Sequence, residues 1–244
     1  MDNKPLKAIV LAAGQGKRLL SEQHDAPKVM RLADGRPLLS YVLSALDFLP
    51  PEDIVIVVGY KREQVIEAFP GYSFAVQEEQ LGTGHAVMSA LETLPDFHGS
   101  LLVCCGDMPL IKRETYSELV RQHGGDDCTI LSGESDAGLT YGRIVRGPNG
   151  EFVKIVEDKD CSPEEKAITE LNSGVYVLSA DPLRLVLPEL RQDNAQREYY
   201  LTDVPELELK KGMKVGVCRL YLGEQLIGVN TPEQLEQVEG LLRR

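Results

Sequence analysis

The first half of the chain alternates between short apolar runs and stretches in which apolar residues recur at helical spacing. The runs are rich in β-branched residues and are followed by turn-forming or polar residues, which is typical of buried strands. The predicted strands are 6–11, 54–58, 73–76 and 100–105, and the predicted helices are 37–48, 62–69, 84–94 and 112–123. This order predicts an α/β fold with a Rossmann-like, mainly parallel mixed sheet flanked by helices. Ligands of such sheets lie beyond the carboxyl ends of the strands.

The second half of the chain has a different pattern. A Gly-Pro-Asn-Gly turn at 147–150 separates two apolar stretches, 141–146 and 151–156, and predicts a β-hairpin. A further strand is predicted at 170–178, and helices from 181 or 182 to about 190 and at 200–211. Thr231 followed by Pro232 predicts the capped start of a last helix. Because no linker-like stretch separates the halves, we expect one domain over residues 1–244.

The net charge of the chain restricts the kinds of molecule that it is expected to bind. The chain has 26 basic and 38 acidic residues, a net charge of −12, which argues against non-specific binding of nucleic acid. A polyanionic ligand would therefore need local cations and a divalent metal. No run approaches the length of a membrane span, and the first residues do not resemble a signal peptide. The five cysteines include no C-x-x-C pair, so we expect reduced thiols in a cytoplasmic protein.

A glycine-containing loop follows the first predicted strand. It reads Leu11-Ala12-Ala13-Gly14-Gln15-Gly16-Lys17-Arg18, and Lys28 follows ten residues later. Small residues allow a ligand to approach the backbone closely, and the two cations suit phosphates. The spacing fits neither a P-loop nor a dinucleotide fingerprint, because position 19 is leucine and no G-K-[ST] string follows. An ordinary strand-to-helix turn with surface cations is the alternative.

Polar residues also lie at the ends of other predicted strands. In the stretch 77–86, the carboxamides of Gln77 and Gln80 could pair with a base edge, and Thr83 could cap the next helix. The alternative there is a polar loop and a helix start. Asp107 follows strand 100–105 and suits Mg²⁺, although a turn residue is the alternative. Glu157 and Asn172 lie at strand ends, where they suit sugar hydroxyls or are simply solvated.

The order of these segments resembles one family. The segments are Leu-Ala-Ala-Gly-x-Gly-x-Arg, Pro-Lys-Val, Gln-Leu-Gly-Thr-Gly-His-Ala, Gly-Asp-x-Pro-Leu-Ile, Tyr-Gly-Arg-Ile-Val-Arg, Ile-Val-Glu-x-Lys-Asp, Glu-Leu-Asn-Ser-Gly, Glu-Tyr-Tyr-Leu-Thr-Asp and Gly-Val-Asn. From about Lys7 to Leu242 the chain resembles the uridylyltransferase (pyrophosphorylase) domain of bacterial N-acetylglucosamine-1-phosphate uridylyltransferases. The fold implied is of the nucleotide-diphospho-sugar transferase type, with a nucleotide-binding half at about 1–125 and a sugar-binding half at about 126–230.

The resemblance implies a reaction and a set of residue roles. The reaction is Mg²⁺-dependent transfer of UMP from UTP to N-acetylglucosamine 1-phosphate, giving UDP-N-acetylglucosamine and pyrophosphate. Catalytic roles fall to Arg18, Lys28 and Asp107, with Arg18 and Lys28 on the phosphates. Nucleotide contacts fall to Leu11, Ala12, Ala13, Gly14, Gln77, Gln80, Gly82 and Thr83. Asp107 and Asn230 would ligate Mg²⁺, and Gly142, Glu157, Asn172 and Thr202 would surround the sugar.

The chain also departs from the family pattern. Lys17 adds a cation, Met30 and Arg31 replace the usual residues after Lys28, and the stretch 22–26 is longer than usual. No six-residue period of the β-helix type is present, so the family's acetyltransferase half is not expected here. Other sugar 1-phosphates or nucleotides, or a non-catalytic nucleotide-sugar-binding module, remain alternatives, and a homo-oligomer is left open. We expect His85 to be structural rather than a base.

Overall fold

A computed structural model describes residues 5–16, 19, 25–135 and 139–244. The strands are β1 Leu6–Leu11, β2 Leu32–Ala33, β3 Arg36–Pro37, β4 Ile54–Val58, β5 Ser73–Val76, β6 Ser100–Cys105, β7 Cys128–Glu134, β8 Arg143–Arg146, β9 Phe152–Val156, β10 Leu171–Ser179 and β11 Val215–Tyr221. The helices are α1 Leu38–Ala45, α2 Arg62–Ala68, α3 Thr83–Glu92, α4 Arg113–His123, α5 Pro163–Lys166, α6 Ala180–Val186, α7 Val204–Lys210 and α8 Pro232–Leu242.

The main sheet is mixed and mainly parallel, as predicted. Its nine strands run in the order β11-β7-β10-β6-β1-β4-β5, and the β8–β9 hairpin joins it through β10. Strands β1, β4, β5 and β6 pair in parallel, as do β7 and β11. Strand β10 runs antiparallel to both β6 and β7. The amino end of β10 therefore lies at the same edge of the sheet as the carboxyl ends of β1, β4 and β6.

Alternate residues of the central strands enter two separate core layers. In β1, Ala8 and Val10 pack into one layer with side chains of α1 and α4, whereas Ile9 packs into the other with α3 and α6. Strand β4 divides in the same way, since Ile56 and Val57 lie in different layers. Successive side chains of a strand point to opposite faces of the sheet. Apolar runs without alternation therefore mark strands that are covered by helices on both faces.

The sequence prediction missed two strands of this sheet, β7 and β11. Strand β7 carries Thr129 and Ser132 within a buried segment, which interrupts its apolar run. Strand β11 lies at the edge of the sheet with most of its residues half-buried, and it contains Gly216. Because such a mixture of apolar and polar residues is found in strands and in loops, the sequence alone does not identify these segments as strands. The pairing with β10 and β7 supplies the hydrogen bonds that the local sequence does not reveal.

Three predicted helices are shorter in the structure. Helix α1 ends at Ala45 rather than at 48, and a 3-10 turn at Leu201–Asp203 precedes α7, which has Pro205 in its first turn. Helix α6 ends at Val186 and continues only as a 3-10 turn over Leu187–Glu189. Pro188 lies in that turn and has no N–H to donate within an α-helix. The last helix begins as predicted, with a capping box between Thr231 and Gln234.

The carboxyl group of Glu208 is buried without an ion-pair partner among the described residues, and the thiol of Cys128 lies beside it. Glu208 on α7 is fully buried, and neither of its side-chain oxygens has a hydrogen-bond partner among the described residues. Burial, with a further contribution from the negative charge of Asp127, raises the pKa of Glu208 to about 8. The folded protein therefore keeps this proton at pH values at which the unfolded chain has released it.

We predict that the contribution of Glu208 to the free energy of unfolding decreases as the pH rises. The unfolded carboxyl group titrates near pH 4.5 and the folded group near 8, so this contribution falls between those values, by about 1.4 kcal/mol per pH unit. The Glu208→Gln variant lacks the titration and should lose less stability from pH 5 to 8. Urea unfolding of both proteins over this range measures the difference. The exposed Glu236→Gln variant is the control, and pH profiles of equal slope for the wild type and Glu208→Gln would contradict the prediction.

Candidate active site

Two cavities meet at the carboxyl edge of the sheet. The glycine-loop cavity is lined by Leu11, Ala12, Ala13, Gly14, Lys28, Gln77, Gln80, Gly82, Thr83 and Asp107, among others. The hairpin cavity is lined by Asp107, Tyr141, Gly142, Glu157, Asn172, Thr202 and Asn230, among others. The two cavities share a wall formed by Leu11, Thr83, Cys105 and Asp107. The structure thus brings the predicted site residues into one continuous region, with the exception of Arg18, which lies outside the described residues.

The loop after β1 is held by backbone hydrogen bonds to its neighbouring strands. The N–H of Ala12 donates to the carbonyl oxygen of Val57 at 2.9 Å, and the carbonyl oxygen of Leu11 accepts from the N–H of Gly106 at 2.9 Å. A methyl group added at Gly14 would meet nothing within 4 Å. The protein itself therefore leaves open space above Gly14, on the side where a ligand can approach the backbone.

The segment after β5 packs against the segment that precedes α7. The N–H of Gly84 donates to the carbonyl oxygen of Tyr199, and the N–H of Tyr199 donates to the carbonyl oxygen of Leu81, both at 2.8 Å. Gly82 has a φ of 111° and lies so close to Tyr199 that a Cβ atom would fall 2.6 Å from the Tyr199 carbonyl oxygen. Only glycine combines this backbone conformation with this approach. Two motifs of the family resemblance, Gln-Leu-Gly-Thr-Gly-His-Ala and Glu-Tyr-Tyr-Leu-Thr-Asp, therefore lie in contact.

The predicted cap at Thr83 is wrong. Helix α3 has Gly82 at its N-cap position without a side-chain cap, and Thr83 is the first residue of the helix. The hydroxyl of Thr83 instead accepts from the N–H of Leu201 at 3.0 Å. This bond is tertiary, between segments 118 positions apart in the chain, so a local capping rule does not find it.

Lys28 joins the two predicted metal ligands. Its ammonium donates to a carboxylate oxygen of Asp107, and also to the side-chain oxygen of Asn230 at 2.8 Å. The resemblance had placed Lys28 on phosphates, whereas here its ammonium lies against the carboxylate and the amide. The backbone supports this convergence, because the N–H of Val229 donates to the carbonyl oxygen of Asp107 at 2.9 Å. We call Lys28, Asp107 and Asn230 the cation centre.

The cation centre has the donor set that a hard divalent cation accepts. Asp107 offers a carboxylate oxygen and Asn230 an amide oxygen, and both reach one positively charged atom. Among the described residues no group of three or more His, Cys, Asp or Glu side chains could hold a metal. A cation here would therefore complete its shell with water and phosphate oxygens, which is usual for Mg²⁺.

Tyr141 connects the hairpin to the segment that carries Asn230. Its hydroxyl accepts from the N–H of Gly228 at 2.9 Å and donates to the sulfur of Met108 at 3.7 Å. A Cβ atom at Gly228 would lie 2.6 Å from that sulfur and 2.8 Å from the Tyr141 oxygen. The motif Tyr-Gly-Arg-Ile-Val-Arg contains Tyr141 but predicts no role for it, since its partners are distant in the chain.

Some polar groups of the hairpin cavity form hydrogen bonds with one another. The Asn172 amide donates to the hydroxyl of Tyr176 at 2.8 Å, and its oxygen accepts from the N–H of Gly174 at 3.3 Å. Burial raises the pKa of Glu157, and Thr202 lies close enough to lower it. The buried Thr202 hydroxyl nevertheless has no partner in hydrogen-bonding geometry among the described residues. Glu157, which lines the hairpin cavity, is therefore available to the hydroxyl groups of a ligand, whereas the hydroxyl of Thr202 is buried beside it.

Comparison with known proteins places the chain in a family. The model of the MobA-like NTP transferase domain matches residues 8–202. The chain belongs to the MobA-like NTP transferase domain family. Its fold resembles that of a Bacillus anthracis protein assigned provisionally as a glucose-1-phosphate thymidylyltransferase and solved with a sucrose, at a TM-score of 0.72 and 20% identity over 98% of this chain and 96% of that chain.

Curated relatives are closer in sequence. The bifunctional protein GlmU of Caldanaerobacter subterraneus is 44% identical and that of Pelotomaculum thermopropionicum 43% identical, each over 98% of this chain and 52% of the relative. The GlmU protein of Streptococcus mutans is 42% identical over 97% of this chain and 52% of the relative. The chain therefore spans about half the length of these relatives. The resemblance seen in the sequence motifs is confirmed.

We predict that Tyr141 positions Asn230 for metal binding. Because the Tyr141→Phe variant cannot accept from the N–H of Gly228, its Mn²⁺ affinity should fall about three- to tenfold, the effect of one hydrogen bond. Electron paramagnetic resonance titration of free Mn²⁺ measures this affinity. Tyr221→Phe, at a side chain that is 75% exposed, is the matched control. Equal Mn²⁺ affinities for the wild type and Tyr141→Phe would contradict the role of Tyr141.

Proposed function

We propose that this chain transfers UMP from UTP to N-acetylglucosamine 1-phosphate in a Mg²⁺-dependent reaction that releases pyrophosphate. The observation that carries the proposal is the wall shared by the two cavities, with the cation centre at that wall. A nucleotide in the glycine-loop cavity and a sugar phosphate in the hairpin cavity would bring their phosphates together there. The similarity to GlmU proteins supports the choice of UTP and of the N-acetylated sugar.

The two halves of the chain supply the two cavities. The predicted nucleotide-binding residues lie between Leu11 and Asp107, and all of them line the glycine-loop cavity. The predicted sugar-binding residues lie between Gly142 and Thr202 and line the hairpin cavity. This division supports one nucleotidyltransferase domain with a nucleotide-binding half up to about residue 125 and a sugar-binding half from about 126 to 230.

The cation centre fits Mg²⁺. Asp107 and Asn230 would hold the ion, and when bound it would supply positive charge shared by the phosphates of both substrates. Lys28 would then leave Asp107 for a phosphate oxygen, since an ammonium is a mobile point charge on a flexible stem. Arg18 is proposed, from the sequence motif alone, to act on the phosphates beside it.

The reaction needs no side-chain base. An oxygen of the sugar phosphate is already an anion; it forms the new bond to the α-phosphorus of UTP while the bond to pyrophosphate breaks. The work of the protein is to align two polyanions and to neutralise their charge. In keeping with this, the ring of His85 is bonded to Gln77 rather than to a group at the cation centre.

The remaining partners are proposed to be small molecules. The net charge of −12 disfavours nucleic acid, and no helix of the described residues is long and apolar enough to cross a membrane. The five cysteines are free thiols, three of them buried, and burial raises the pKa of Cys104 to about 12. Unreactive reduced thiols suit the cytoplasmic location that we propose.

Pyrophosphate release tests the proposed function. UTP, CTP, dTTP, ATP and GTP are each offered with N-acetylglucosamine 1-phosphate or glucose 1-phosphate at fixed Mg²⁺. We expect release with UTP and the N-acetylated sugar only. The Asp107→Ala variant should lose at least about a hundredfold in kcat because the charge at the transferring phosphate is no longer balanced. The exposed Asp96→Ala variant should retain wild-type activity.

Other outcomes separate the alternatives. Release with a different pair of substrates would retain the reaction type and overturn the substrate assignment. Absence of release with every pair, from protein that still binds UDP-N-acetylglucosamine, would indicate a binding module. Wild-type activity of Asp107→Ala would contradict the role of the cation centre.

A further inference from the structure

Only the nitrogen of the Gln77 carboxamide has hydrogen-bond partners among the described residues. Its nitrogen donates to the carbonyl oxygen of Gly82 at 3.0 Å and lies 3.0 Å from Nδ1 of His85, to which it donates when the ring carries its proton on Nε2. Its side-chain oxygen has no hydrogen-bond partner among the described residues, and it is not one of the fully buried unpartnered atoms. Gln77 is only 3% exposed and lines the glycine-loop cavity. The carboxamide oxygen is therefore the polar group that Gln77 offers to a ligand.

The two partners determine which way the carboxamide points. The Gly82 carbonyl oxygen can only accept, so the nitrogen of Gln77, and not its oxygen, must face it. Nδ1 of His85 accepts as well when the ring carries its proton on Nε2. A flipped carboxamide would lose the bond to the Gly82 carbonyl oxygen, and it would keep the contact with His85 only if the ring moved its proton from Nε2 to Nδ1. The orientation thus follows from partner chemistry and not from an arbitrary choice between O and N.

His85 is itself held in place. It lies in the first turn of α3, and its ring stacks on that of Tyr199 at a centroid distance of 6.4 Å and an interplanar angle of 29°. The backbone bond from Gly84 to Tyr199 fixes the same contact. Gln77 is anchored too, since its N–H donates to the carbonyl oxygen of Val58 at 2.8 Å. Neither side chain can rearrange alone.

We propose that His85 is a positioning residue for base selection: it fixes the Gln77 carboxamide with its oxygen toward the base. This inference rests on the proposed function, because it assumes that a base enters the glycine-loop cavity. A fixed acceptor pairs with the imino N3–H of uracil. Cytosine presents an unprotonated N3 at that place, so two lone pairs would face each other. A carboxamide free to flip would turn its NH₂ toward cytosine and lose this discrimination.

The size of the effect follows from the two bonds. Removal of the His85 acceptor leaves the Gly82 bond in place, so the preference for one orientation is weakened and not abolished. One hydrogen bond of this kind changes an equilibrium constant by up to about tenfold, so the ratio of UTP to CTP affinity should fall by no more than about tenfold. The change should come mainly from tighter binding of CTP.

Two variants distinguish the loss of the hydrogen-bond acceptor of His85 from the loss of its aromatic ring. His85→Phe keeps an aromatic ring against Tyr199 and loses the acceptor. His85→Asn loses the ring, and its side-chain oxygen can take the place of Nδ1. Isothermal titration of UTP and of CTP, without sugar phosphate, measures the affinity ratio independently of turnover. We expect the ratio to fall in His85→Phe and to stay near the wild-type value in His85→Asn, a pattern that loss of packing alone would not produce.

The results distinguish this inference from the proposed function. A wild type that prefers UTP together with a His85→Phe variant of unchanged ratio would overturn the role of His85 and leave the function standing. Equal loss of the ratio in both variants would also overturn it, since packing would then be the cause. A wild type without preference for UTP over CTP would overturn both the uridine assignment and this inference.

Discussion

The site depends on one ammonium group, which donates hydrogen bonds to a carboxylate oxygen and to a side-chain amide oxygen from distant parts of the chain. Lys28 follows the glycine loop, Asp107 follows β6, and Asn230 precedes α8, yet the side chains of all three meet. The protein carries a net charge of −12, so the polyanionic substrates that we propose require positive charges at the place where their phosphates would meet. The ammonium of Lys28 supplies positive charge there and occupies the two oxygen donors of the cation centre.

Sheet topology explains why this centre lies between two cavities. The parallel strands β1, β4 and β6 place the glycine loop and Asp107 at one edge of the sheet. Strand β10 enters antiparallel, so its first residues, including Asn172, reach the same edge. The β8–β9 hairpin extends from β10 through the pairing of Arg143 with Leu171 and closes the second cavity. Because β10 runs antiparallel to its neighbours, the same edge of the sheet carries the hairpin cavity beside the glycine-loop cavity.

The sequence predicted the parts of this arrangement that depend on local pattern. Strands β1, β4, β5 and β6 follow from short, mostly apolar runs, and the capping box at Thr231 follows from residue type and spacing. Strand β11 could not be predicted, because its half-buried edge position gives no clear alternation. The position of Lys28 against Asp107, the hydroxyl of Tyr141 on Gly228, and the bond from Gln77 to His85 are side-chain contacts set by tertiary packing. A motif identifies such residues but does not show which partner each one chooses.

The measurement that tests this account most directly is Mn²⁺ binding to the Lys28→Met variant in the absence of nucleotide, by isothermal titration. If the Lys28 ammonium lies where a divalent cation would bind, its removal should increase the affinity of the protein for Mn²⁺ by tenfold or more, because the ammonium no longer competes with the ion for the oxygens of Asp107 and Asn230. Lys210→Met, at an exposed lysine of α7, should leave the affinity unchanged. An Mn²⁺ affinity of Lys28→Met equal to or weaker than that of the wild type would contradict the account.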